Sequence, residues 1–208
     1  MATDFVHTAE VVDAVISVLK GADGDTHTGG LPSNWFEAGD DGDEVWVQVI
    51  QHGDLRDLVL TDDLDDRLPC ILVRGTGTQP LRTTTQSQEC WEPVRIVHAR
   101  RFADCRDSDG EIEKNITRAR ERYAKAIHTA LFNDPNRKLA TINSEGERSE
   151  VDLTTSDTSA DVVTVEFGGW DLGQDPGSGT PETTNERVRA DRIMVVAVDI
   201  RVKTITTE

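Results

Sequence analysis

The chain has 208 residues, 39 of them acidic and 22 basic, giving a net charge of -17 and a mean hydropathy of -0.47. That balance argues against a phosphate-gripping nucleic-acid binder, which needs clustered Lys and Arg to displace condensed counterions, and no apolar run approaches the length of a membrane span. At 36% hydrophobic, with the apolar residues in periodic blocks, the chain is expected to fold as one domain over 1–208 rather than remain an acidic disordered chain.

Val11, Val12, Val15, Val18 and Leu19 recur at helical spacing, so a helix is predicted from Thr8 to Lys20, closed by Lys20-Gly21. Residues 21–43 are rich in Gly and Asp and read as a long loop insertion carrying Trp35 and Phe36. Strands are predicted at Glu44 to Gln51, Leu55 to Leu60 and Cys70 to Arg74, with Thr76 to Ser87 an exposed loop or hairpin tip. Trp91 to Phe102 is the next strand, placing Val94, Ile96 and His98 against Arg95, Val97 and Ala99. From Ile112 to Phe132 one apolar stripe (Ile112, Ile116, Ala119, Tyr123, Ile127, Ala130, Leu131) predicts a helix of about five to six turns, stopped by Asn133-Asp134-Pro135. Its outer face carries Lys114, Arg118, Arg122 and Lys125, read as either a solvated face or a subunit contact. Strands are also predicted at Leu139 to Asn143, Ser149 to Leu153 and Val162 to Phe167, then a loop insertion at 168–186 containing Trp170, then one long strand from Arg187 to Ile205. The expected class is α+β: a mostly antiparallel sheet or sandwich, with a short N-terminal helix and one long amphipathic helix packed on it.

No constellation states a chemistry. Asp40, Asp41, Asp43 and Glu44 offer hard oxygen ligands without the EF-hand ladder, and Asp62, Asp63, Asp65 and Asp66 read the same way in so acidic a chain. Cys90, His98 and Cys105 lack zinc-site spacing and a fourth ligand, so buried thiols and a strand histidine are expected instead. There is no nucleophile elbow and no phosphate loop. Three cysteines, Cys70 included, form no disulfide framework, and Met1 to Glu10 lacks the pattern of a secretory signal. The expectation is therefore a non-enzyme with no catalytic residue, cofactor or metal. Trp46 and Trp91 are expected in the core, whereas Trp35 and Trp170, on Gly-rich loops, either staple those loops or anchor a partner.

Asp outnumbers Glu by 24 to 15, and Lys supplies only 5 cations. Such an excess of charge repels itself unless dense counterions screen it, and at 1 M salt the Debye length is about 3 Å. The composition implies a high-salt habitat. The order of elements, from the Val11 to Leu19 helix through the Ile112 to Phe132 helix to the closing strand R-A-D-R-I-M-V-V-A-V-D-I-R-V, resembles tail-terminator or tail-completion proteins of long-tailed viruses. The resemblance implies a virion protein, assembled in the cytoplasm of a halophilic archaeon, forming a hexameric ring at the tail-neck junction. Its partners would be further copies of itself, the tail tube protein and a neck or head-completion protein, with DNA passing through the lumen unbound and no membrane. Tail tube and neck proteins are the nearest alternatives, and a halophilic metal-dependent enzyme or a small-molecule binding module are alternatives of another class. The residues expected at interfaces are Trp35, Phe36, Trp170, Arg118, Arg122 and Arg201.

Overall fold

A computed structural model describes residues 8–21, 49–54, 68–83, 87–101, 105, 114–132, 134–142, 147–151, 153–154, 159–171 and 193–207. The elements are α1 (Thr8–Lys20), β1 (Val49–His52), β2 (Cys70–Gly75), β3 (Gln79–Thr83), β4 (Ser87–Arg101), α2 (Ile116–Leu131), β5 (Ala140–Ile142), β6 (Arg148–Glu150), β7 (Leu153–Thr154), β8 (Ser159–Asp171) and β9 (Ile193–Thr207). The fold is α+β, with two helices among the described residues and a mostly antiparallel mixed sheet. The expected strand at Leu55 to Leu60, the residues Trp35, Phe36 and Trp46, and the acidic clusters at 40–44 and 62–66 lie outside the described residues.

The main sheet runs β1-β2-β4-β9-β8-β7, with β3 also on β4. Among the described residues only β1 and β2 pair in parallel; the other ladders are antiparallel. Its spine is the β4–β9 ladder, unbroken from Ser87 opposite Thr207 to Arg101 opposite Ile193. At about 3.4 Å per residue, each of these strands is about 50 Å long. Alternation decides the faces. Val94 and Ile96 of β4, Met194, Val196, Val198, Ile200 and Val202 of β9, and Ile71 and Val73 of β2 turn inward together and form one core with both helices. Arg95, Asp199 and Lys203 take the opposite face, where Arg95 Nε lies 3.8 Å from Asp199 Oδ1 and Lys203 Nζ 3.0 Å from Glu89 Oε2. The same face carries a smaller apolar cluster, Leu68, Cys70, Leu72 and Ala99, at the β2 end.

Helix α1 buries Val11, Val12, Val15, Val18 and Leu19 as its spacing predicts, and Ala14 and Ile16 besides. It ends on Gly21, whose φ of 82° supplies the left-handed turn and whose N–H bonds Ser17 and Val18 carbonyls. Helix α2 is shorter than the stripe from Ile112 implied. The Asn115 side chain accepts the Thr117 and Arg118 N–H groups at 3.0 and 3.2 Å, capping orphan donors and fixing the start at Ile116. Ala119, Tyr123, Ala126, Ile127, Ala130 and Leu131 are buried on its inner face.

Four other strand-level expectations are corrected. Residues 168–171 belong to β8, and Gly169, Trp170 and Asp171 pair with β9, where an expected loop insertion was to begin. A bulge between Phe167 and Gly169, with Gly169 at φ 137°, lets the ladder continue through the glycines. The single strand expected at Ser149 to Leu153 is split: β6 pairs with β5 while β7 pairs with β8, and between them the Val151 N–H bonds the Leu139 carbonyl. The polar stretch after Gly75 contains β3, an exposed hairpin arm on β4. Trp91 is half-buried opposite Lys203, because its parity along β4 places it with Arg95 on the face away from the helices.

At the start of α1, Thr8 and Thr78 hydroxyls both donate to Glu92 Oε2, at 3.0 and 2.9 Å. Glu92 is buried, and burial raises its carboxyl pKa despite these two bonds. A Cβ added to Gly75 would overlap Thr8 Cγ2, so Gly75→Ala must rotate Thr8 away from Glu92. The substitution is expected to cost about 1–3 kcal/mol. Thermal melts of the alanine variant with and without Thr8→Ser provide the check: serine keeps the hydroxyl and removes the clashing methyl, so it restores most of the loss.

Candidate functional site

Helix α2 runs out in a tight turn that shapes a groove. The Phe132 N–H bonds the His128 carbonyl at 2.9 Å. Asp134 organises the turn itself: its Oδ2 accepts the Asn136 and Lys138 N–H groups at 2.8 and 3.3 Å, and its carbonyl accepts the Arg137 N–H at 3.0 Å. Arg137 is held at φ 57°, an uncommon conformation for a side chain of its size. The turn, the end of α2 and β8 enclose an open groove of about 490 Å³ lined by His128, Phe132, Asp134, Pro135, Arg137, Glu166 and Phe167.

Its floor is aromatic. His128 stacks on Phe132 with ring centres 4.5 Å apart, and Phe167 stands edge-on to both, 5.1 Å from His128 and 6.3 Å from Phe132. Burial lowers the His128 pKa, which keeps the imidazole neutral near pH 7. Phe167 remains 41% exposed. An aromatic shelf rimmed by Asp134 and Arg137 is suited to receiving an apolar side chain, since such surfaces give large contact area with few degrees of freedom.

A second exposed apolar side chain lies across the sheet. Pro80 pairs with Cys90 and Arg82 with Glu89, leaving Leu81 as the extra residue of a bulge. All five β3 side chains are exposed, and Leu81 is 50% exposed. With Phe167 it makes up the exposed large hydrophobics among the described residues.

Among the described residues, the expected interface positions Arg118, Arg122 and Arg201 do not gather in one place. Arg118 is exposed and Arg122 half-exposed on α2. Arg201, also exposed, sits between the inward-facing Ile200 and Val202 and so lies on the far face of the sheet, opposite Glu166. Trp170 pairs through its backbone with Val198, inside a strand rather than on a loop. Cys90 and His98 are eight residues apart on one strand, about 27 Å, and among the described residues no three metal-ligating side chains converge. Cys70, Cys90 and Cys105 are buried free thiols. Burial, then Glu92, raises the Cys90 pKa, so it stays protonated.

Beneath α2 lies a polar cluster that was not anticipated. Arg100 is 1% exposed; its Nη1 donates to Tyr123 Oη at 2.7 Å, and its guanidinium carbon lies 4.9 Å from the ring centre. His98 is fully buried with its ring 4.9 Å from Tyr123, and Arg120 is buried nearby on the same helix. Burial first, and then the Arg100 charge, hold the His98 pKa well below its ordinary value. The signal was present in the sequence, since Arg100 continues the inward parity of Val94, Ile96 and His98. This cluster is enclosed, whereas the groove and the β3 bulge carry the exposed large hydrophobic side chains found among the described residues. No family model matches the chain, and a search of curated proteins finds no match either.

Proposed function

We propose that the chain is a non-enzymatic structural virion protein, a tail terminator that forms a hexameric ring at the tail-neck junction of a virus of halophilic archaea. The observation that carries this reading is the placement of Leu81 and Phe167, the exposed large hydrophobics among the described residues, on different strands with two strands between them. A patch that meets a different patch on the next copy gives a heterologous contact, the kind that closes into rings. The element order adds support: a helix, four strands, a helix, then strands ending in a 15-residue one. On this reading one amphipathic helix dominates the covered face of the sheet, the basic face of α2 with Arg118 and Arg122 lies against an acidic neighbour, and Arg201 serves a second contact. Trp35, Phe36 and Trp170 serve the contacts with the tube and neck proteins. The acidic wall lets DNA pass without adhering.

Light scattering across a salt series from about 0.2 to about 3 M, where screening of surface charge changes most, tests the proposal. The expected result is a discrete assembly of about six chains at high salt, seen as single rings in micrographs. Stacked tubes would instead mark a tail tube protein, and a folded monomer at every salt concentration would overturn the ring.

A further inference from the structure

The ring reading leaves open which surfaces meet, and the inference here rests on that reading. We infer that the β3 bulge of one copy seats in the aromatic groove of the next: Leu81 on Phe167, Phe132 and His128, and Arg82 against the rim carboxylate of Asp134.

The shapes are complementary. The bulge throws Leu81 out from an edge strand as a convex knob, whereas Phe167 lines a concavity backed by stacked rings. The groove of about 490 Å³ has room for the leucine and the neighbouring Pro80 ring. The rim also offers Arg82 an acceptor: Asp134 lines the groove, and Arg82 follows Leu81 directly and is exposed. Among the described residues β3 pairs with β4 alone, so its outer edge is open to the backbone of a neighbour.

The two halves cannot meet within one copy. Strands β4 and β9 separate β3 from β8, three interstrand spacings or about 14 Å. Leu81 also lies beside Cys90 and Glu89, which face Thr204 and Ile205, whereas Phe167 faces Ile200, so the two are further offset along the strands. Knob and groove therefore come from different copies, and each copy offers both. Salt weakens the Arg82 contribution and leaves the apolar seat, which suits assembly in brine.

Two variants test this. Leu81→Asp changes an exposed side chain and leaves the core intact, so its far-UV spectrum and melting temperature should match the parent's; at high salt the concentration needed for assembly should rise at least tenfold. Leu81→Cys combined with Pro135→Cys places thiols on knob and groove rim, where the native cysteines are buried. A bis-maleimide reagent should then give a ladder of multimers, with each single-cysteine variant crosslinking at least tenfold less. If Leu81→Cys alone crosslinks as well as the pair, the contact is knob to knob and the inference is overturned. If the parent assembles while Leu81→Asp assembles equally and the ladder is missing, the ring stands on other surfaces. A parent that is monomeric at every salt concentration overturns both readings.

Discussion

Truncating Tyr123 to alanine is expected to lower the free energy of unfolding by about 3–5 kcal/mol, as for other buried aromatics. The ring is fully buried between His98 and Arg100, so its loss opens a cavity that the sheet below cannot close. It also removes the phenol oxygen that takes the Arg100 Nη1 hydrogen at 2.7 Å. Tyr123→Phe separates these two effects. It keeps the packing and deletes the acceptor, and should cost about 1–3 kcal/mol, the penalty of leaving a buried donor less well satisfied. Urea titrations at fixed high salt measure both. The alanine loss is a large share of the roughly 5–15 kcal/mol by which a domain is stable, so that variant should be near its limit on dilution from brine. A loss below about 1 kcal/mol for alanine would mean that Tyr123 does not fill this core.

Acid should weaken the fold first through His98. Its folded pKa lies well below the ordinary 6.5 because burial and the Arg100 charge both disfavour the imidazolium. Below pH 6.5 the unfolded chain therefore binds a proton that the folded chain refuses, and stability falls as pH drops. One proton changes stability by at most about 1.4 kcal/mol per pH unit, so descending from pH 6.5 to 5 costs up to about 2 kcal/mol. Glu92 acts in the opposite sense. Its folded pKa is raised, so the folded state holds the extra proton and its contribution declines as pH rises above 4.5. Unfolding free energies between pH 5 and 7 should consequently rise with pH in the parent, rise less steeply in His98→Gln, where the lowered His128 pKa still acts in the same sense, and steepen in Glu92→Gln. A slope unchanged in His98→Gln would assign the acid limb to other groups.

The inward and outward residues of β4 and β9 were legible from alternation alone, because a half-buried strand must repeat every two residues. Both helices were legible for the corresponding reason, a stripe at helical period. What escaped was whatever depends on the partner strand or on a single side chain. The start of α2 turns on one capping Asn115, which the apolar stripe overruns. The extension of β8 through Gly168 and Gly169 depends on β9 lying alongside to receive it, and glycines read in isolation as a loop. The groove was invisible for the same reason: His128 and Phe167 are about 40 residues apart and meet only when α2 lies against β8. Leu81 stood in a polar stretch, and nothing local distinguishes a bulge from a turn. The charge stripe on α2 was visible from composition, yet Arg118 and Arg201 end on opposite sides of the sheet.

Strand β9 is late in the chain but central in the sheet, flanked by β4 and β8. A ribosome therefore releases β1 to β4 long before the strand that joins them to β8 exists, and β8 itself about 20 residues before it. At about 5–20 residues per second, the roughly 100 residues between β4 and β9 keep one edge of β4 open for several seconds. During that interval the backbone of β8 has no β9 to pair with, and the hydrophobic face of α2 has no Met194 to Val202 row to cover. Closure is thus a single late event of high sequence separation, which makes folding slow and leaves nascent chains with an edge on which they can pair with one another. A dense negative charge, carried from the first residues onward, keeps such chains apart while they wait.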